Sequence, residues 1–165
     1  MEINGKTFVV TGGGNGIGRQ VVLELLRRGA LVAALDLRED GLEGTRALAG
    51  GDRLATFPLD VSDREATAAS LDLVVGELGP VDGLVNVAGI MQPFERINDI
   101  EWETIERVMN VNFYGTLNMV KAYLPHLLQR PEGHIANVSS MGGVLPVPGQ
   151  SIYGASKAAV KLMSE

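Results

Sequence analysis

The sequence predicts an α/β fold built on a doubly wound parallel sheet, and three observations predict it. Short runs rich in valine, leucine and alanine alternate with helical patterns, and glycine or proline punctuates each pair. The strand candidates are nearly continuous in apolar character, as strands covered on both faces are. A glycine-rich turn, "TGGGNGIG" at 11–18, stands directly between the first strand and the first helix.

The strands are expected at 7–11 (TFVVT), 31–36 (LVAALD), 54–60 (LATFPLD), 83–89 (GLVNVAG) and 134–140 (HIANVSS). Between the first two, residues 16–28 carry Ile17, Val21, Val22, Leu25 and Leu26 on one stripe, with Gly29 placed to end the helix. A weaker helix over 39–49 contains two glycines. The helix over 63–78 follows Ser62 and Glu65 at capping-box spacing. Asn98 and Glu101 repeat that spacing before a helix holding Trp102, Ile105, Val108 and Met109. Another helix is expected over 113–129 with Pro125 inside it, and a last one opens near Tyr153. No repeat, low-complexity tract or linker divides the chain, so residues 1–165 read as one domain. Trp102, the methionines and the leucine stripes are expected in the core or an interface, and Arg19 and Arg38 in solvent.

Composition narrows the function classes. The chain is 45% hydrophobic and 21% charged, and its net charge of -6 argues against a nucleic-acid partner, which needs a cationic footprint. There is no cysteine, and the two histidines, His126 and His134, lack ligand clustering, so metal chemistry is not expected. No run approaches the roughly 20 apolar residues of a membrane span, and "MEINGKTFVV" has no basic n-region or cleavable apolar segment. The expectation is a cytosolic protein that holds any anion by local geometry.

Glycines 12, 16 and 18 supply that geometry. Without a Cβ the turn admits close approach, and a helix N-terminus behind it favours a pyrophosphate. The literal G-x-G-x-x-G pattern is absent, and a glycine loop by itself suits either a phosphate or a tight turn; the position between strand and helix favours the phosphate. Asp36 closes the second strand, where a carboxylate can accept from ribose hydroxyls or serve as an ordinary turn residue.

Taken together, Thr11-Gly12-x-x-x-Gly16-x-Gly18, Leu59-Asp60-Val61, Asn86-Val87-Ala88-Gly89, Asn110-Val111-Asn112, Ser139-Ser140 and Tyr153-x-x-x-Lys157 resemble the short-chain dehydrogenase/reductase family over the whole chain. The resemblance implies a Rossmann-like sheet, a nicotinamide dinucleotide cofactor and a hydride transfer acting on a small secondary alcohol or ketone. It implies a catalytic tetrad of Asn112, Ser140, Tyr153 and Lys157. The implied cofactor contacts are Gly12, Asn15, Gly16, Ile17, Gly18, Asp36, Asp60, Val61, Asn86, Ala88 and Gly89, with Tyr153 and Lys157. Members more often have a second asparagine where this chain has Val87. They also continue past the Tyr-Lys helix into further strands, helices and a substrate lid, so the resemblance implies that this chain is truncated. A homodimer or homotetramer, joined through the helices at 113–129 and 153 onward, is implied for the complete protein.

The chemistry of these residues agrees with those roles. Four residues apart on a helix, Tyr153 and Lys157 share a face. A phenol acting as a base at neutral pH must lose about three units, roughly 4 kcal/mol, and a cation about 4 Å away at an effective dielectric near 20 supplies that much. Ser140 can hold the reacting oxygen, and Asn112 can position a water or backbone group that relays the proton. Separately, each motif has a plain structural use: Y-x-x-x-K as a surface pair, Ser-Ser as a turn or cap. Ser140 standing 13 residues before Tyr153 is the spacing the resemblance requires.

Asp36 repels a 2'-phosphate, so NAD is expected over NADP; Arg38 is the residue most able to oppose that choice. The segments 90–97 (IMQPFERI) and 141–152 (MGGVLPVPGQSI) are mainly apolar, with Gln92 and Gln150 as exceptions, and suit a substrate with an apolar body. The alternative reading is a catalytically silent nucleotide-binding or interaction module.

Overall fold

Val9 and Val10 are neighbours in the first strand, and both are fully buried. Side chains alternate across a strand, so both can be buried only if a layer covers each face. The computed structural model, which describes residues 2–165, has that arrangement. Strands β1 (Thr7–Thr11), β2 (Leu31–Asp36), β3 (Leu54–Pro58), β4 (Gly83–Asn86) and β5 (His134–Asn137) form one sheet in the order β3-β2-β1-β4-β5. All four pairings are parallel. This is a Rossmann-like doubly wound sheet.

Helices α1 (Gly16–Arg27) and α2 (Glu39–Ala49) serve one face, where Phe8, Val10, Val32 and Ala34 meet Val22, Leu25, Leu26 and Leu42. Helices α3 (Arg64–Leu78) and α5 (Thr116–Leu127) serve the other, where Val9, Ala33, Leu35 and Leu84 meet Val74, Met119, Tyr123 and Leu127. Each fully buried valine or leucine contributes about 1.5–3 kcal/mol, which is why the strands read as unbroken apolar runs. The chain leaves β1 toward β2 on one side and returns to β4 on the other. A crevice therefore opens at the carboxyl ends of β1, β2 and β4.

Helix α4 (Trp102–Met109) runs without a break through a π-helical segment (Asn110–Gly115) into α5, where a separate helix from 113 was expected. The wider turn is a common device at functional sites, and here it carries Asn112, which is completely buried. Helix α6 (Ser151–Met163) packs beside this segment.

Several local expectations are corrected. Strands β3, β4 and β5 end two to three residues sooner than expected, so Asp60, Ala88, Gly89 and Ser140 lie in the turns that follow. The cap of α3 is Asp63, whose carboxylate accepts from Glu65 N at 2.9 Å and Ala66 N at 3.0 Å. An ionised acceptor outcompetes the Ser62 hydroxyl, and Ser62 instead donates from N and Oγ to Asp60. Asn98 caps nothing, because its amide donates to Asp99 and α4 starts after Glu101. Ile17 and Trp102 are exposed, at 67% and 72%, so neither belongs to the core.

Candidate active site

The crevice is a cleft of about 440 Å³. Gly12, Asn15, Gly16, Ile17, Gly18, Asp36, Asp60, Val61, Ala88 and Gly89 all line it, so ten residues chosen from the sequence converge there. Leu37, Leu59, Val87, Ile90 and Val111 complete its apolar walls. Asn86 stands behind the cleft, where its amide nitrogen donates to Asn137 Oδ1 at 2.8 Å and ties β4 to β5.

The glycine turn is dense behind and open in front. A Cβ on Gly12 would lie 3.0 Å from the backbone of Ala88, and one on Gly18 would collide with the carbonyl oxygen of Gly12. At Gly16 the backbone has φ +50°, and a Cβ would meet nothing within 4 Å. Asn15 caps α1 by accepting from Gly16 N at 2.8 Å. Thr11 Oγ1 accepts from Val87 N at 3.1 Å and Ala88 N at 3.2 Å, which pins the turn after β4 to the end of β1. A cradle that side chains would fill, opening on a helix N-terminus, fits a pyrophosphate.

At the far wall Asp36 accepts from Gly14 N at 2.9 Å and from Arg38 N at 3.0 Å. A carboxylate has about four acceptor positions, so two remain for a ligand. Arg38 is bound to Asp40 at 2.7 Å. The hydrogen bond from Arg38 holds the Asp40 carboxyl below its ordinary value and raises the guanidinium in turn. Arg19 departs from expectation: it donates to Thr45 Oγ1 at 3.0 Å, to Gly41 O at 3.2 Å and to Gly14 O, clamping the glycine turn to α2. Its position next to Gly18 was visible in the sequence, but its partners on α2 were not.

The implied tetrad lies as two pairs, Lys157 with Asn112 behind Gly89 and Ser140 with Tyr153 about Gly142, and none of the four is among the residues that line the cleft. A Cβ on Gly89 would lie 3.2 Å from both Lys157 Nζ and Asn112 Oδ1. Lys157 is 4% exposed and donates to Val138 O at 3.0 Å; burial pushes its ammonium below the ordinary value. Asn112 accepts from Ile90 N at 2.8 Å, donates to Ile90 O at 2.9 Å and donates to Ser156 Oγ at 3.0 Å. Ser140 and Tyr153 flank Gly142: a Cβ there would lie 3.7 Å from Ser140 Oγ and 3.7 Å from Tyr153 Cε1. Ser140 also caps a short turn by accepting from Gly142 N at 3.2 Å, the structural use that a Ser-Ser pair after a strand suggests. Ser139 donates to Lys157 O at 2.7 Å, a contact that spacing alone did not reveal.

Residues 6–165 match the family described as short chain dehydrogenase. The chain belongs to that family. The chain is similar to a Mycobacterium tuberculosis protein named as the oxidoreductase SadH, with 42% identity over 166 residues, 99% of this chain and 60% of SadH. It is 34% identical to the 3-oxoacyl-[acyl-carrier-protein] reductase FabG of Thermotoga maritima, over 97% of this chain and 65% of FabG. Its fold matches the crystal structure of an NAD+-bound xylitol dehydrogenase with a TM-score of 0.93 and 31% identity, covering 99% of this chain and 64% of that one. The chain thus spans about 60–65% of the length of these curated relatives. Among the described residues no helix is long and apolar enough to cross a membrane.

Proposed function

We propose that this short-chain dehydrogenase serves an NAD-dependent oxidoreductase that transfers a hydride between nicotinamide and a secondary alcohol or ketone with an apolar body. The observation that carries the reading is Gly89: it lines the same cleft as Asp36 and the glycine turn, and its missing side chain leaves that cleft open to Lys157 and Asn112. A dinucleotide extended along the cleft would span from a carboxylate that accepts ribose hydroxyls to a lysine that can donate to them.

In this reading the backbone N-H groups at the start of α1 hold the pyrophosphate, and Asp36 accepts from the adenosine ribose. Asp36 also disfavours a 2'-phosphate. Arg38, a cation that lines the cleft, is engaged by Asp40 at 2.7 Å, which supports NAD over NADP. The similarity to an NAD+-bound xylitol dehydrogenase points the same way. The nicotinamide supplies or accepts the hydride.

The chain's own part is acid-base work and positioning. The Tyr153 phenol exchanges the proton of the alcohol oxygen, Ser140 holds that oxygen, and Lys157 supplies the positive field that lets the phenol lose its proton. Asn112 keeps the turn after β4 in register with α6, so that the cleft and the tyrosine keep a fixed spacing. The apolar side chains exposed in the segments after β4 and β5, Met91, Phe94, Val144 and Leu145, suit a substrate with an apolar body.

The test is Tyr153→Phe, assayed with NAD and a panel of secondary alcohols. Turnover should fall by about 10²-fold or more, with NADH affinity unchanged within about two-fold. Turnover retained in the phenylalanine variant would refute the mechanism.

A further inference from the structure

Helix α6 carries Tyr153 and Lys157, yet its own N-cap residue, Gln150, makes no side-chain capping bond. The first N-H groups of a helix need acceptors from outside it. Here one atom supplies two of them: Gln92 Oε1 accepts from Ile152 N at 2.9 Å and from Tyr153 N at 2.8 Å. The other end of the same amide donates to Gly149 O at 3.2 Å. Gln92 is only 3% exposed, so its amide is removed from water on the strength of these contacts.

We propose that Gln92 is a positioning residue, which caps α6 from the segment after β4 and thereby fixes the position of Tyr153. The geometry closes into a circuit around the tyrosine. Two residues before Gln92, Ile90 is held at both N and O by Asn112. Asn112 donates to Ser156 Oγ, and Ser156 donates to Tyr153 O at 2.7 Å. The backbone of Tyr153 is thus held at its N-H through Gln92 and at its carbonyl through Ser156 and Asn112. Both routes return to the segment after β4, whose residues 87–90 line the cleft, so a shift of that segment moves the start of α6 with it.

The capping claim stands on these contacts alone, while the catalytic consequence rests on the role given to Tyr153 above. Gln92→Met has a similar volume and neither polar end. Gln92→Glu keeps the acceptor. In the chain itself, hydrogen exchange at the Ile152 and Tyr153 amides should quicken about five- to ten-fold in Gln92→Met, the scale of a lost cap, and return close to wild type in Gln92→Glu. With a secondary alcohol as substrate, kcat should fall about ten-fold or more in Gln92→Met, because small misplacements of a reacting group are costly. The KM for NAD should stay within about two-fold. Gln92→Glu should recover most of kcat, a rescue that loss of general stability does not allow. Gln92→Asn, whose oxygen is drawn back by one methylene, should repeat the loss and serves if the methionine variant does not fold. Unchanged exchange at both amides, or quickened exchange with kcat unaltered, would overturn the proposal. If the wild-type chain neither binds NADH nor turns over, the functional reading fails, and the exchange rates still decide the cap.

Discussion

Lys157 Nζ donates to the backbone oxygen of Val138 at 3.0 Å, in a place where the lysine is 4% exposed. Desolvation lowers its proton affinity, so folding carries an electrostatic cost at this residue. The carbonyl of Val138 directs the ammonium and satisfies one of its three protons, which leaves donors for the cleft beyond Gly89.

A buried cation replaced by an apolar chain of similar length usually costs nothing or stabilises. Lys157→Met should therefore leave the unfolding free energy at pH 8 unchanged or higher by about 1 kcal/mol while turnover disappears. The sign of the pH dependence is definite. The folded state binds fewer protons at this lysine than the unfolded state, so its contribution to stability rises with pH from the lowered folded value toward 10.5. Urea unfolding from pH 8 to 10 should show that rise in wild type relative to Lys157→Met. Parallel curves would contradict it.

Tyr123 gives the opposite slope. It is fully buried between α5 and α3, within 3.0 Å of Ser70 Oγ, and burial pushes its phenol up to about 12. A group raised in the folded state contributes stability that is complete below the unfolded value, near 10, and is lost as pH climbs through about 12. Tyr123→Phe should cost about 1 kcal/mol at neutral pH from the lost hydrogen bond and fall less steeply above pH 10. Circular dichroism with denaturant over pH 9–12 reads both effects.

Gly18→Ala tests the turn. The added Cβ would collide with the carbonyl oxygen of Gly12, which is backbone and cannot swing aside. The expected cost is about 1–3 kcal/mol of stability, with NADH affinity reduced by at least ten-fold in calorimetry because the collision lies inside the cradle.

Asp82→Asn tests a scaffold contact remote from the cleft. This carboxylate is 3% exposed, accepts from Thr7 N at 3.1 Å and pairs with Arg130 at 2.8 Å, tying the start of β1 to the end of α5. The amide should cost about 1–3 kcal/mol in a thermal melt and leave NADH affinity unchanged.

The sequence was informative wherever function is written in local spacing. Gly12, Gly16, Gly18 and Asp36 belong to one β-α-β stretch, and their convergence on one cleft follows from the alternation of strand and helix. Strand ends were less legible, because Leu59, Val87, Ala88 and Val138 are apolar residues beyond the strands and lengthen their apparent runs. Arg19 was read as solvated, Gln92 only as a polar exception in an apolar segment and Ser139 only as half of the Ser-Ser motif, since their partners, Thr45 and Gly41, Tyr153, and Lys157, are distant in sequence and set by tertiary packing alone. Trp102 was expected in the core or an interface, and its 72% exposure excludes the core alone.

Asp36 decides the cofactor in this account, and Asp36→Ala should narrow or reverse the preference, shifting the NADH to NADPH affinity ratio by about 10- to 100-fold, the scale of hydrogen bonds to a charged group. The most direct measurement is a titration of the wild-type chain with NADH and, in parallel, NADPH, followed by nicotinamide fluorescence. The account predicts saturable binding with NADH the tighter ligand. Tighter binding of NADPH, or saturation by neither, would contradict it.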